Sequence, residues 1–174
     1  MAIFVSITSC VTFEKLLEKN HKFTQSIINS MKTLLKGEVS FAENYHNWAL
    51  NVSVKWNRRI TTINLNSRKT DLETEFLNCS LTKAQFFTFL SRSETYNFSG
   101  KKSDFSELLL ECVETQCLMD SKNPIIKLDG NSLIFKGGIR KKDFSSLSNV
   151  FNLFEVLMDE IDYLYKENVT RQRV

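Results

Sequence analysis

The chain has 174 residues, which makes one domain spanning residues 1–174 the expectation. A hydrophobic fraction of 42% with 25% charged residues is that of a globular protein and excludes a disordered or fibrous chain. A formal charge of +3 is too small to demand nucleic acid as a partner, and one Pro with five Gly leaves no low-complexity linker.

The start, Met1 to Val11, is apolar but brief and has no basic leader, so no signal peptide is expected. No apolar run approaches the ~20 residues of a membrane span. Cys10, Cys79, Cys112 and Cys117 show no C-x-x-C spacing, and reduced thiols in a cytoplasmic protein are the expectation. The N-x-S/T triplets at Asn51, Asn78, Asn97 and Asn168 are read as chance in a chain rich in Asn, Ser and Thr.

In chain order, Ile3, Phe4, Val5 and Ile7 make a short strand or an apolar lead-in. From Thr12 the spacing of Phe13, Leu16, Leu17, Phe23, Ile27, Met31, Leu34 and Leu35 predicts a long helix, with Gly37 as its C′ stop. The period then falls to two. Val39 and Phe41 form a short strand, and residues 44–47 turn the chain. Trp48, Leu50, Val52, Val54 and Trp56 alternate with polar residues, so one face of that strand is apolar and closed by Trp at both ends. Asn57-Arg58 turns back into a strand from Ile60 to Asn66. Ile60 and Ile63 break its alternation, which predicts a bulge or burial on both faces. Ser67 to Asp71 reads as a charged loop, and Glu73 to Cys79 as a fourth strand.

Thr82 with Gln85 forms a capping box, and Leu81 with Phe86 a hydrophobic staple, so a helix is expected there carrying Phe89 and Leu90 inward. Tyr96 to Ser103 reads as a polar loop around Gly100. A third helix opens at Asp104, with Glu107 in the capping position, and buries Phe105, Leu108, Leu109, Cys112 and Val113. Asn123-Pro124 leads into a hairpin, with Asp129-Gly130 at its I′ turn and Gly137-Gly138 as its stop. Asp143 caps a final helix of about twenty-two residues. Its apolar stripe is Phe144, Leu147, Phe151, Phe154, Met158, Ile161 and Tyr165, and its solvated face Glu155, Asp159, Glu160 and Asp162. The spacing of that stripe allows two copies to pair through it, and burial against the chain's own sheet is favoured. The fold class is α+β: an antiparallel meander of three to four strands plus a C-terminal hairpin, packed against a long N-terminal and a long C-terminal helix.

Chemistry-bearing motifs are sparse. His21 and His46 have no Cys or carboxylate at ligand spacing, and no phosphate-loop, nucleophile-elbow or dinucleotide motif occurs. No enzyme activity, metal or cofactor is expected. Basic residues cluster at Arg58-Arg59, Arg68-Lys69, Lys101-Lys102 and Arg140-Lys141-Lys142. The first two clusters flank one hairpin and are expected to share one end of the sheet. With Trp48 and Trp56, which could stack bases but fit a core better, these turns define the surface available to a partner. The partner-binding residues are then Trp48, Trp56, Arg58, Arg59, Arg140, Lys141 and Lys142.

Two partial resemblances accompany this reading. Residues Trp48 to Leu90 resemble a COMM domain through Trp48 with Leu50-Asn51, Ile63 and Leu65, and Leu81 with Gln85-Phe86 and Phe89-Leu90. The match covers about a quarter of the chain, and about eighty residues follow where a COMM domain closes its chain. The element order is also similar to that of type III secretion chaperones, small homodimers that bind an extended effector segment. The extra central helix and the basic balance depart from that family. The functional expectation is a cytoplasmic, non-enzymatic module of inhibitor, immunity, adaptor or chaperone type, with a protein as partner and homodimer formation open. The competing class binds nucleic acid through basic turns at Arg58, Arg59, Arg68 and Lys69.

Overall fold

Period-two alternation builds the sheet that organises the molecule. The computed structural model describes residues 24–70, 76–84, 96–141 and 143–172. Helix α1 occupies residues 24–33. Then come β1 (Gly37–Tyr45), β2 (Trp48–Trp56), β3 (Ile60–Lys69), β4 (Phe76–Lys83) and β5 (Tyr96–Gly100). Helices α2 (Asp104–Glu111) and α3 (Val113–Met119), strands β6 (Lys122–Gly130) and β7 (Ser132–Arg140), and helix α4 (Phe144–Gln172) complete the order. The strands form one antiparallel sheet in the order β1-β2-β3-β7-β6-β4-β5. The fold is α+β, with a sheet about twice as wide as expected.

One alternating set of strand residues makes the core floor: Trp48, Val52 and Val54 on β2, Ile63 and Leu65 on β3, Leu133 and Phe135 on β7, Ile126 and Leu128 on β6. Ile27 and Met31 of α1, Leu109 of α2, Leu118 and Met119 of α3, and a stripe of α4 join the same cluster. All four described helices therefore lie on one face. Of the expected α4 stripe, Leu147, Phe151, Phe154, Met158 and Ile161 are buried against the chain's own core, with Leu157 beside them, and Phe144 and Tyr165 at its ends are partly buried. Asp143 caps the helix, accepting from the backbone N–H of Ser146 at 3.2 Å and from the Ser145 hydroxyl at 3.0 Å.

Several expectations give way to strand pairing. The hairpin β6–β7 does not stand apart. It inserts between β3 and β4, with Leu65 opposite Phe135 and Leu81 opposite Ile126. Gly137 and Gly138 do not stop β7 but lie within it, opposite Ile63 and Thr62. At Gly137 a Cβ would overlap the Ser121 hydroxyl and the Phe135 ring, so a close approach accounts for this glycine. The hairpin turn is Gly130-Asn131, bracketed by the pair Asp129 and Ser132. Positive φ falls at Gly130 and not at Asn131, which suits a II′ rather than a I′ turn.

Gly37 opens β1 instead of ending a helix. A Cβ there would strike the Trp56 indole. The helix expected from Thr12 is present over 24–33, and its earlier part lies outside the described residues. The short strand at Val39 and Phe41 extends to nine residues. β3 has no bulge: Thr61 fills the inward position that made Ile60 and Ile63 look irregular, and pairing runs through Lys69 where a loop was expected.

Leu81 and Thr82 belong to β4, paired with Ile126 and Ile125, so no capping box forms at Thr82. Gln85, Phe86, Phe89 and Leu90 lie outside the described residues. Tyr96 to Gly100 is an edge strand, not a loop. With Leu81 in a strand, the pattern behind the COMM resemblance is lost, and one seven-stranded sheet departs from the chaperone order. α2 is capped one residue earlier than expected, by Ser103, which exchanges hydrogen bonds with Ser106. The chain extends at Cys112 before α3, which leaves Val113 64% exposed.

Candidate functional site

The β2–β3 turn is held by one side chain. Asn57 Oδ1 accepts from the backbone N–H of Arg59 at 2.9 Å and of Ile60 at 3.0 Å. That turn leaves Arg58 and Arg59 exposed. β7 ends alongside it: Ile60 pairs with Arg140, and the N–H of Lys141 donates to the carbonyl of Arg59 at 3.1 Å. Four of the basic residues singled out in the sequence thus meet at one end of the sheet. The Lys141 ammonium is tethered to the carbonyls of Leu34 and Leu35 at 2.7 and 3.2 Å. Lys142 lies outside the described residues.

Beside this cluster a hollow of about 700 Å³ opens between β7, the end of α3 and the start of α4. Local irregularity creates it. β6 bulges between Lys122 and Ile125, with Asn123 at φ 50°. Gly138 adds no side chain to fill the space. Ile60, Ile139, Val150 and Leu153 give the hollow an apolar lining. Arg59, Arg140 and Lys122 contribute positive charge, Asp120 and Asp143 negative, and Ser146 and Asn149 hydrogen-bonding groups.

Asp143 occupies the α4 N-terminus itself. Hydrogen bonds from Ser146, then from Ser145, together with the charge of Arg140, hold its carboxyl below the usual range. The helix end is therefore satisfied internally, and an incoming anion meets the guanidinium groups. Cys117 reaches the hollow as a free thiol, and Cys79 and Cys112 are also free. Burial pushes the Cys79 thiol up, and burial with a hydrogen bond to Glu114 pushes Cys112 to about 11, so both stay protonated at neutral pH. Cys10 and His21 lie outside the described residues. Among the described residues no group of three or more His, Cys, Asp and Glu could hold a metal ion. Among them, too, no helix is long and apolar enough to cross a membrane.

Arg68 and Lys69 do not share this end. They close β3 at its far end, ten residues away along the strand. Lys69 is not a surface residue at all. It is 2% exposed, with its ammonium 2.5 Å from the Asp162 carboxylate and 5.1 Å from the ring centres of both Trp48 and Tyr165. Asp162 is correspondingly buried, which breaks the expected solvated face of α4 at that position, whereas Asp159 stays exposed and accepts a hydrogen bond from the Tyr45 hydroxyl at 2.8 Å. Burial, then the bond to Asp159, raises the Tyr45 phenol far above its ordinary range.

The sequence held a signal for this buried pair. Lys69 continues the inward series Thr61, Ile63, Leu65 and Ser67, and Asp162 lies one turn beyond Met158 in the buried stripe. Trp48 and Trp56 are core side chains, not a surface for stacking. Trp48 is fully buried and stacks on Phe76 at 6.2 Å, and Trp56 donates its indole N–H to the carbonyl of Leu34 at 3.2 Å.

No protein-family model, curated protein or solved structure matches this chain.

Proposed function

We propose that the protein works by binding another protein, without chemistry of its own, and that the hollow beside Arg59 and Arg140 is the docking site. The observation that carries this is the pairing of an apolar lining, from Ile139, Val150 and Leu153, with arginines at its edge. An apolar side chain entering the hollow, flanked by carboxylates that reach Arg59 and Arg140, satisfies both parts. Arginine at the edge of an apolar pocket is a common anchor of protein recognition, because the planar guanidinium grips a carboxylate through two hydrogen bonds. The competing reading, nucleic acid on the basic turns, loses support here. Its two clusters lie at opposite ends of β3, Lys69 is buried, and the two Trp rings face the core.

A photocrosslinking side chain at Asn149, in the hollow, tests the proposal in an extract of the native host. A discrete protein adduct is expected, and it should disappear when Arg59→Glu and Arg140→Glu are combined. An equally strong adduct from a probe at Asn64, on the opposite face of the sheet, or one that survives the charge reversal, would sink the assignment.

A further inference from the structure

The small net charge conceals a strong segregation. The four described helices carry nine carboxylates against Lys32, Lys166 and Arg171. The other face of the sheet has the opposite sign. Lys55, Arg68, Lys127, Lys136 and Arg140 take outward positions in the strand registers, against Glu38 and Asp129 as the only carboxylates there among the described residues. Both of those are already neutralised. Glu38 pairs with Lys55 at 3.1 Å, and Asp129 pairs with Lys127. Arg68 and Lys136 are exposed, and no carboxylate among the described residues pairs with either.

Most of the rest of this face is short hydrogen-bonding side chains, interrupted by Ile60, Ile125 and Ile134. One registered row runs Ser53, Asn64, Lys136, Ile125 and Thr82 across five neighbouring strands. The next runs Asn51, Asn66, Ile134, Lys127 and Ser80. No described helix crosses this face, and no outward position among the described residues carries an aromatic ring. Seven strands at ~4.8 Å spacing give it a width of roughly 29 Å.

We propose that this face binds the phosphate–sugar backbone of a nucleic-acid duplex. Charge complementarity selects a polyanion. Lys and Arg with Ser, Thr and Asn are the side chains that contact phosphate and sugar oxygens, and they position a duplex without reading its bases. The missing rings argue against a single strand, which is held largely by base stacking on aromatic side chains. Apart from Arg140, which stands where the two meet, this surface is separate from the hollow, and it does not rest on the reading given for it.

Fluorescence anisotropy with a labelled 20-base-pair duplex of mixed sequence tests the idea on the full chain. Binding should weaken with salt, with a slope of about −2.7 in log K against log salt if roughly three phosphates are neutralised. Arg68→Glu combined with Lys136→Glu should weaken it at least about tenfold, by removing two of those contacts and repelling phosphate. Both side chains are exposed, and circular dichroism would verify that the variant folds. Arg59→Glu, in the hollow, should leave duplex binding unchanged.

Four results would overturn the proposal: no salt-dependent binding of the duplex, an unchanged affinity in the double variant, tighter binding of a single strand of the same length, or capture by phosphatidylserine vesicles with no binding of the duplex. The last would identify the face as a contact for an anionic membrane surface.

Discussion

At the start of β3, Arg58 and Arg59 stand in water beside an open hollow; at its end, Lys69 is enclosed by Trp48, Tyr165 and Asp162. Both pairs are basic dipeptides next to turns. What separates them is parity. Lys69 falls on the inward set of an alternating strand, beneath α4, while Arg58 and Arg59 precede the first paired residue. A charge carried inward must be matched, and Asp162 with two ring faces matches this one. The comparison teaches that the role of a basic residue follows from the strand register, not from its neighbours in sequence.

The contrast is sharpest in stability. Lys69→Ala leaves Asp162 buried without its cation and should cost about 3–5 kcal/mol in chemical denaturation. Replacing both partners by apolar residues, as Lys69→Met with Asp162→Leu, should recover most of that loss; failure to do so would mean that the pair does more than satisfy itself. At the open end the large cost lies in packing. Trp56→Ala should lose about 3–5 kcal/mol, because its indole is buried over Gly37. An unchanged melting temperature would put that ring in water and revive base stacking.

Smaller effects refine the picture. Tyr45→Phe removes the hydrogen bond to Asp159 and should cost about 1 kcal/mol. Asp143→Ala should cost about 1 kcal/mol at neutral pH by uncapping α4. The sign of its pH dependence follows from the lowered carboxyl pKa. The cap contributes fully above the unfolded value of about 3.9 and is lost as pH falls through the lower folded value, so variant and parent should converge in acid. A gap that persists below pH 2 would contradict an ionised cap. Arg59→Ala is the smallest, within about 0.5 kcal/mol of the parent, while the crosslink in the hollow is lost.

Much of the fold was legible where one period ran unbroken. Trp48 to Trp56 and the stripe from Leu147 to Ile161 were readable because burial on one face leaves a repeat in the residues themselves. Thr82 and Gly137 misled for a shared reason. A capping box and a glycine pair are local signals, and here long-range pairing with Ile125 and Ile63 overrides them. The hollow could not be read, because it arises from a bulge at Asn123 and from a meeting of Arg59 with Arg140 about eighty residues apart. Only its charged members stood out, at Arg58-Arg59 and Arg140-Lys141. The charge segregation is invisible in the composition because the total of +3 averages over the two layers.

Strand order also bears on how the chain is made. β1, β2 and β3 are neighbours in sequence and can pair as they leave the ribosome, but β3 and β4 have no bond to each other. The hairpin that joins them begins at Lys122, about fifty residues after β3 ends. At ~5–20 residues per second, β3 then waits several seconds with one unpaired edge carrying Ile63 and Leu65. α4, which covers the apolar face, is synthesised later still. Nascent chains halted before Lys122 would hold two incomplete sheets, each with a raw edge open to strangers, and would depend on a chaperone to keep those edges apart.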